Sequence, residues 1–182
     1  VTKPLSFNRL SNILKSAGAV LGKQTVINYV GYMMDSYMLF TLQNYAAKLV
    51  EKETSPKYYF MDTGLLGLML MDCSSAQLEN LVAIELIRRY GRENVFYFEK
   101  NVEIDFYVPE EKLAIQVSLQ VLDQIDTRER EIGAFVKLKN FIGDATCLLI
   151  TNSEEEELDY EGVHVSVVPV WKWLLQNRKQ DI

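Results

Sequence analysis

Glu103-Ile104-Asp105-Phe106 is followed in quick succession by Leu113-Ala114-Ile115-Gln116-Val117-Ser118. Both runs have the apolar, β-branched and aromatic content of strands. Side chains two apart on a strand share a face, so Gln116 and Ser118 point the same way, with Asp105 at an adjacent strand position. A carboxylate, an amide and a hydroxyl on neighbouring strands make a candidate polar site.

Around these runs, Val95 to Glu99, Val102 to Val108 and Leu113 to Leu119 read as three successive strands. A helix from Ala76 to Tyr90 precedes them, and Gly91 stands where a helix C-terminus favours glycine. A second helix follows, with Asp126 and Thr127 as N-cap candidates and a body reaching about Asn140. Cys147 to Thr151 and Val163 to Val168 read as further strands, Glu154 to Glu157 as a solvated acidic loop, and Val170 to Asn177 as a closing helix. The order αβββαβ, with one more strand and helix, predicts an α/β (α+β) core around a central mixed sheet.

The front of the chain has a different pattern. Phe7, Leu10, Ile13 and Leu14 have helical spacing behind Ser6, an N-cap candidate. After a turn at Gly18 to Gly22, Thr25, Val26, Tyr29, Val30 and Met33 mark a second helix ending near Asp35. Tyr37 to Leu42 and Lys57 to Met61 are strand-length runs separated by a polar loop, Gln43 to Pro56. Helix, turn, helix and two strands predict a winged helix-turn-helix over residues 1–72, which a short helix from Asp62 to about Met71 leaves. Residues 73–182 form the second expected unit.

The 182 residues are 48% hydrophobic and 24% charged, an ordinary composition for a folded domain. The single histidine, His164, and the widely separated Cys73 and Cys147 argue against a zinc finger, a redox pair and a His-based triad. No apolar run reaches the roughly 18 residues of a membrane span, so a cytoplasmic setting is expected. Net charge is −6, with the acidic excess lying after Asp72 and a weak basic excess before it. Nucleic acid suits the front better than the back. The segment Gly18 to Thr25 imitates a phosphate-binding loop, but three residues separate its glycines, Gln24 interrupts Lys23 and Thr25, and two helices flank it.

With Glu79 and Glu85 on the preceding helix, Asp105, Gln116 and Ser118 resemble the PD-(D/E)xK nuclease superfamily. There an acid on one strand precedes acid-x-lysine on the next. In that pattern two carboxylates hold Mg²⁺ against the scissile phosphate and the lysine assists the attacking water. This chain departs from it twice. Gln116 offers a neutral oxygen, which leaves Asp105 and Gln116 as a weak metal pair, and Ser118 stands where the lysine belongs. Lys100, Lys112 and Arg128 are the candidate substitutes for that cation. Glu85 shares the apolar stripe of Leu78, Leu81 and Val82 and has Arg88 and Arg89 within helical reach, so ion pairing is an equal explanation for it.

Further signatures, Lys57-Tyr58-Tyr59-Phe60-Met61-Asp62-Thr63-Gly64-Leu65, Glu79 to Arg89, Thr127 to Glu131 and Val168 to Leu175, occur in order with those strands. Together they resemble the C-terminal region of a prokaryotic AAA-type ATPase family of unknown role. The resemblance implies a winged helix joined to a nuclease-like end, with ATP handled only by an upstream module that this chain does not contain. With Gln116 and Ser118 in place of the acid and the lysine, the expectation is a non-catalytic module for DNA or partner binding; a magnesium-dependent nuclease with a relocated cation is the alternative. Lys23, Gln24, Thr25 and Asn28, at the start of the second helix, would touch DNA. Expected partners are DNA, the ATPase module and, as a candidate, a second copy of the chain, with no membrane. Simpler roles stand beside these: Asp62-Thr63-Gly64 caps a helix, Trp171 and Trp173 anchor the core, and Arg128 and Arg130 pair with nearby acids, though Arg128 could reach phosphate.

Overall fold

A computed structural model describes residues 3–47, 55–69, 74–122 and 125–176. The strands are β1 (Leu39–Asn44), β2 (Lys57–Phe60), β3 (Phe96–Glu99), β4 (Glu103–Val108), β5 (Leu113–Val117), β6 (Thr146–Thr151), β7 (Glu156–Tyr160) and β8 (Val163–Pro169). The helices are α1 (Phe7–Ser16), α2 (Lys23–Asp35), α3 (Gly64–Met69), α4 (Ser74–Tyr90), α5 (Ile125–Ile142) and α6 (Val170–Gln176). Cys73, the expected continuation of α3 to Met71, residues 48–54 of the expected loop and the Asn177 end of the closing helix lie outside the described residues.

The eight strands of the described residues form one mixed sheet in the order β2-β1-β3-β4-β5-β6-β8-β7. The α/β class with a central mixed sheet, expected from the alternation of patterns, is the one the chain adopts. Helices cover both faces, which is why the central strands are apolar on both sides. On one face Val82, Ala83 and Leu86 of α4 and Trp173 of α6 pack against Phe106, Ile115 and Ile150. On the other, Ile132, Phe135 and Leu138 of α5 cover Ile104, Ala114 and Leu149. Each of the valine, leucine, isoleucine and phenylalanine side chains among them contributes roughly 1.5–3 kcal/mol by leaving water.

Strand β1 changes partner along its length. Leu39 to Leu42 pair antiparallel with β2, whereas Gln43 and Asn44 pair parallel with Phe96 and Tyr97 of β3. The front hairpin thereby enters the same ladder as the rest of the sheet.

Several local expectations are corrected. Glu156–Tyr160 is a strand, not a loop; only Leu158 in it is buried, so it pairs through its backbone at the sheet edge without an apolar stripe to announce it. Nor is the acidic run merely solvated. The Glu154 carboxylate accepts hydrogen bonds from the Val121 and Leu122 amides, and Glu155 pairs with Lys172. Helix α5 begins at Ile125, which puts Asp126 and Thr127 inside its first turn rather than at the cap. Trp173 is an anchor at 5% exposure, but Trp171 on the opposite side of α6 is 57% exposed. As expected, Asp62 Oδ1 accepts from the Gly64 amide at 2.7 Å at the start of α3.

Candidate functional site

Asp105 occupies a β-bulge. Phe96 lies opposite Tyr107 and Phe98 opposite Ile104, so Asp105 and Phe106 together face the single Tyr97. A bulge bends its strand and re-aims the side chain it carries. On the other edge of β4, regular pairing with β5 runs from Val108 opposite Leu113 to Phe106 opposite Ile115. Beyond that point side chains take over the ladder. Gln116 Oε1 accepts from the Asp105 amide at 2.8 Å, Gln116 Nε2 donates to the Glu103 carbonyl at 3.1 Å, and the Val117 amide donates to Asp105 Oδ2 at 3.0 Å. Strand β5 meanwhile continues parallel to β6, with Gln116 opposite Leu149.

A cation from far away in the sequence meets Asp105 here. Lys57, the first residue of β2, is fully buried. Its Nζ lies 3.0 Å from Glu103 Oε1, 3.5 Å from Asp105 Oδ1 and 3.8 Å from Glu79 Oε1. It also sits 5.4 Å from the centre of the Tyr97 ring. Glu79, near the start of α4, accepts a 2.8 Å hydrogen bond from the Tyr59 hydroxyl. Next to it on the helix, Asn80 holds the strand that carries Lys57, accepting from the Phe60 amide at 2.8 Å and donating to the Phe60 carbonyl at 2.9 Å.

Charge in this cluster is set by competition between burial and pairing. Burial works against the Lys57 ammonium, but Asp105, Glu79 and Glu103 outweigh it and hold the group above the ordinary lysine range. Burial pushes the Glu79 carboxyl up to about 7, Asp105 adds to the rise, and Lys57 and the Tyr59 hydroxyl oppose it. Asp105 is likewise raised by burial, against the pull of Lys57 and the Val117 amide. Its side chain keeps 16% of its surface exposed, toward a cleft.

That cleft, of about 430 Å³, is lined by Glu79, Glu103, Asp105, Gln116 and Val117, with Glu131 and Ala134 of α5 and the basic Lys3, Arg130 and Lys137 also contributing. Glu131 is buried and raised by that burial, while Arg130, 2.6 Å away, holds it back. Among the described residues, no group of three or more His, Cys, Asp or Glu side chains is arranged to hold a metal ion.

Three of the five nuclease-type candidates therefore meet: Glu79, Asp105 and Gln116. Ser118 does not join them; its hydroxyl donates to the Gln120 carbonyl at 3.1 Å. Glu85 pairs with Arg88 and Arg89, each at 2.7 Å, so the expected helical ion pairs explain it. None of the three candidate replacement cations is in the cleft lining. Lys100 lies over the Phe141 ring, Lys112 is in the β4–β5 turn at positive φ, and Arg128 is half-buried on α5. The missed residue had one signal. A lysine heading the aromatic run Lys57-Tyr58-Tyr59-Phe60, all four buried, needs a carboxylate partner.

Lys23, Gln24 and Asn28 are exposed on the first turns of α2 and Thr25 is half-buried. Gln24 Nε2 donates to Asn28 Oδ1 at 3.1 Å, so these side chains form one surface. No helix among the described residues is long and apolar enough to cross a membrane.

Residues 1–77 match a family described as a domain of unknown function, DUF8612. That match includes Lys57 and stops short of Glu79, Glu103 and Asp105. The chain is 32% identical over 181 residues to "Uncharacterized protein MJ1544" of Methanocaldococcus jannaschii, an alignment covering 94% of this chain and 41% of that protein. The chain thus spans well under two thirds of that relative's length. No solved structure matches it.

Proposed function

We propose that this region is a non-catalytic module of an AAA-type ATPase, built from a winged helix-turn-helix and a degenerate nuclease-like core, that binds DNA or positions a partner. The observation that carries the reading is the use made of Gln116. Both ends of its amide are committed to the backbone of β4, at Asp105 N and Glu103 O, so it acts as a ladder rung rather than as a ligand. Ser118, at the lysine position of the resembled pattern, is turned to a neighbouring carbonyl. A fold that keeps the frame of a nuclease without those two groups keeps a surface but not the chemistry.

The DNA arm of the proposal draws on the exposed start of α2, where Lys23, Gln24 and Asn28 stand together. Recognition helices commonly meet the duplex with their first turns. An electrophoretic shift series across salt concentrations tests this arm. Retarded DNA whose affinity falls with salt is expected, and binding that is absent at low salt turns the surface into a protein contact.

One observation favours the competing reading, a magnesium-dependent nuclease with a relocated cation: Lys57 brings a lysine into contact with Asp105 and Glu79. That reading requires Mg²⁺- or Mn²⁺-dependent cleavage of DNA that is lost in Asp105→Ala. Intact substrates across single-stranded, duplex and branched DNA with both metals are the outcome expected here.

A further inference from the structure

Glu79, Glu103 and Asp105 converge from a helix and a bulged strand on one point, and that point already holds a positive charge. We infer that the Lys57 ammonium is the resident cation of this cluster, standing among the three carboxylates in place of a divalent metal. The inference rests on the nuclease-like reading of the core for the metal it displaces; the geometry of Lys57 stands by itself.

The residues present do not fit a divalent ion. A metal bound by Asp105 would sit roughly 2.0–2.6 Å from its oxygens. The space beside Asp105 Oδ1 is taken by Nζ at 3.5 Å, and Oδ2 already accepts the Val117 amide at 3.0 Å. On Glu79, Oε1 accepts the Tyr59 hydroxyl and faces the same ammonium. A metal placed between these groups would stand within a few ångström of a like charge in a partly desolvated site, where repulsion is weakly screened. Nor can the ammonium withdraw easily. Its side chain is fully enclosed, with the Tyr97 ring on one side and Asn80 clamping the backbone of its strand.

The test uses Mn²⁺ as the probe, with electron paramagnetic resonance to count free ions and thermal unfolding to follow stability. In the wild-type chain, Mn²⁺ up to about 1 mM, where weak carboxylate sites begin to fill, should leave the free-ion signal undiminished and the unfolding temperature unmoved. Lys57→Met keeps the side-chain volume and removes the charge. It should unfold at a lower temperature and recover by several degrees as Mn²⁺ is added, and the added substitution Asp105→Asn should abolish that recovery. Saturable Mn²⁺ binding by the wild type that Asp105→Asn removes would overturn the inference, as would a folded Lys57→Met variant indifferent to Mn²⁺. If Lys57→Met does not fold, the wild-type titration decides. Binding of Mn²⁺ without DNA cleavage defeats only the assignment to Lys57, whereas metal-dependent cleavage defeats the non-catalytic reading.

Discussion

The Tyr59 hydroxyl lies 2.8 Å from Glu79 Oε1, which ties a buried phenol on β2 to a buried carboxyl on α4. The phenol is a poor acid here, because burial and the neighbouring Glu79 and Asp105 charges raise it well above its ordinary range. It therefore donates at any physiological pH, and the group that titrates is Glu79.

Glu79 gives the protein a pH dependence whose sign can be worked out. Its folded-state value of about 7 exceeds the ordinary 4.5, so between these values the native state retains a proton that the unfolded chain releases. The Glu79 contribution to stability is then full below about 4.5 and falls as pH rises toward 7, by at most about 1.4 kcal/mol per pH unit for one proton. Asp105 and Glu131, both raised by burial, act in the same sense, as does exposed His164, raised by its hydrogen bond to Asp159. Lys57 stays charged across this window and contributes no slope. Urea unfolding at intervals from pH 5 to 8 should show the decline in wild type, and Glu79→Gln should make it shallower, leaving the part due to the other groups.

Asn80 should prove costly to remove. It is fully buried and satisfies both backbone groups of Phe60 while donating to Thr63 Oγ1. Asn80→Ala leaves those groups unpaired, at about 1–3 kcal/mol for each one that water cannot reach. A loss of at least about 2 kcal/mol is expected from the shift in urea midpoint. A loss below about 0.5 kcal/mol, the range of ordinary surface substitutions, would mean that β2 is not held by this side chain.

Gln116 and Ser118 should separate sharply although they lie two residues apart. Gln116→Ala strips Asp105 N and Glu103 O of their partners and should cost about 2–3 kcal/mol, whereas Ser118→Ala removes one exposed hydrogen bond and should cost less than about 1 kcal/mol. Equal effects in chemical denaturation would contradict the ladder role of Gln116.

If the start of α2 meets DNA, Lys23→Ala should weaken binding evenly across sequences and reduce the slope of log affinity against log salt by about 1. Fluorescence anisotropy at several salt concentrations reads this directly. An unchanged slope places the contact elsewhere.

The sheet was legible because β4, β5, β6 and β8 carry long apolar runs, and α4 because Gly91 ends its pattern. Strand β7 was not, since an edge strand with a single buried residue has no periodicity to detect. In the site, Asp105 and Gln116 could be paired from their positions on successive strands. Lys57 could not, because 48 residues separate it from Asp105 and its approach depends on the bulge at Asp105 and on where β1 places β2. Lys100, Lys112 and Arg128 lie closer to Asp105 in sequence, yet the ammonium beside it comes from the far edge of the sheet.

The change of partner along β1 has a practical consequence for anyone shortening this protein. A fragment beginning after Asp72 would present β3 without its neighbour, a bare edge inviting other strands to add to it. The same cut would remove Lys57 and leave the Glu79, Glu103 and Asp105 carboxyls without the ammonium they share. Such a truncation would be sticky on one side and short of a partner within, so the segments before and after Asp72 are best expressed as one piece.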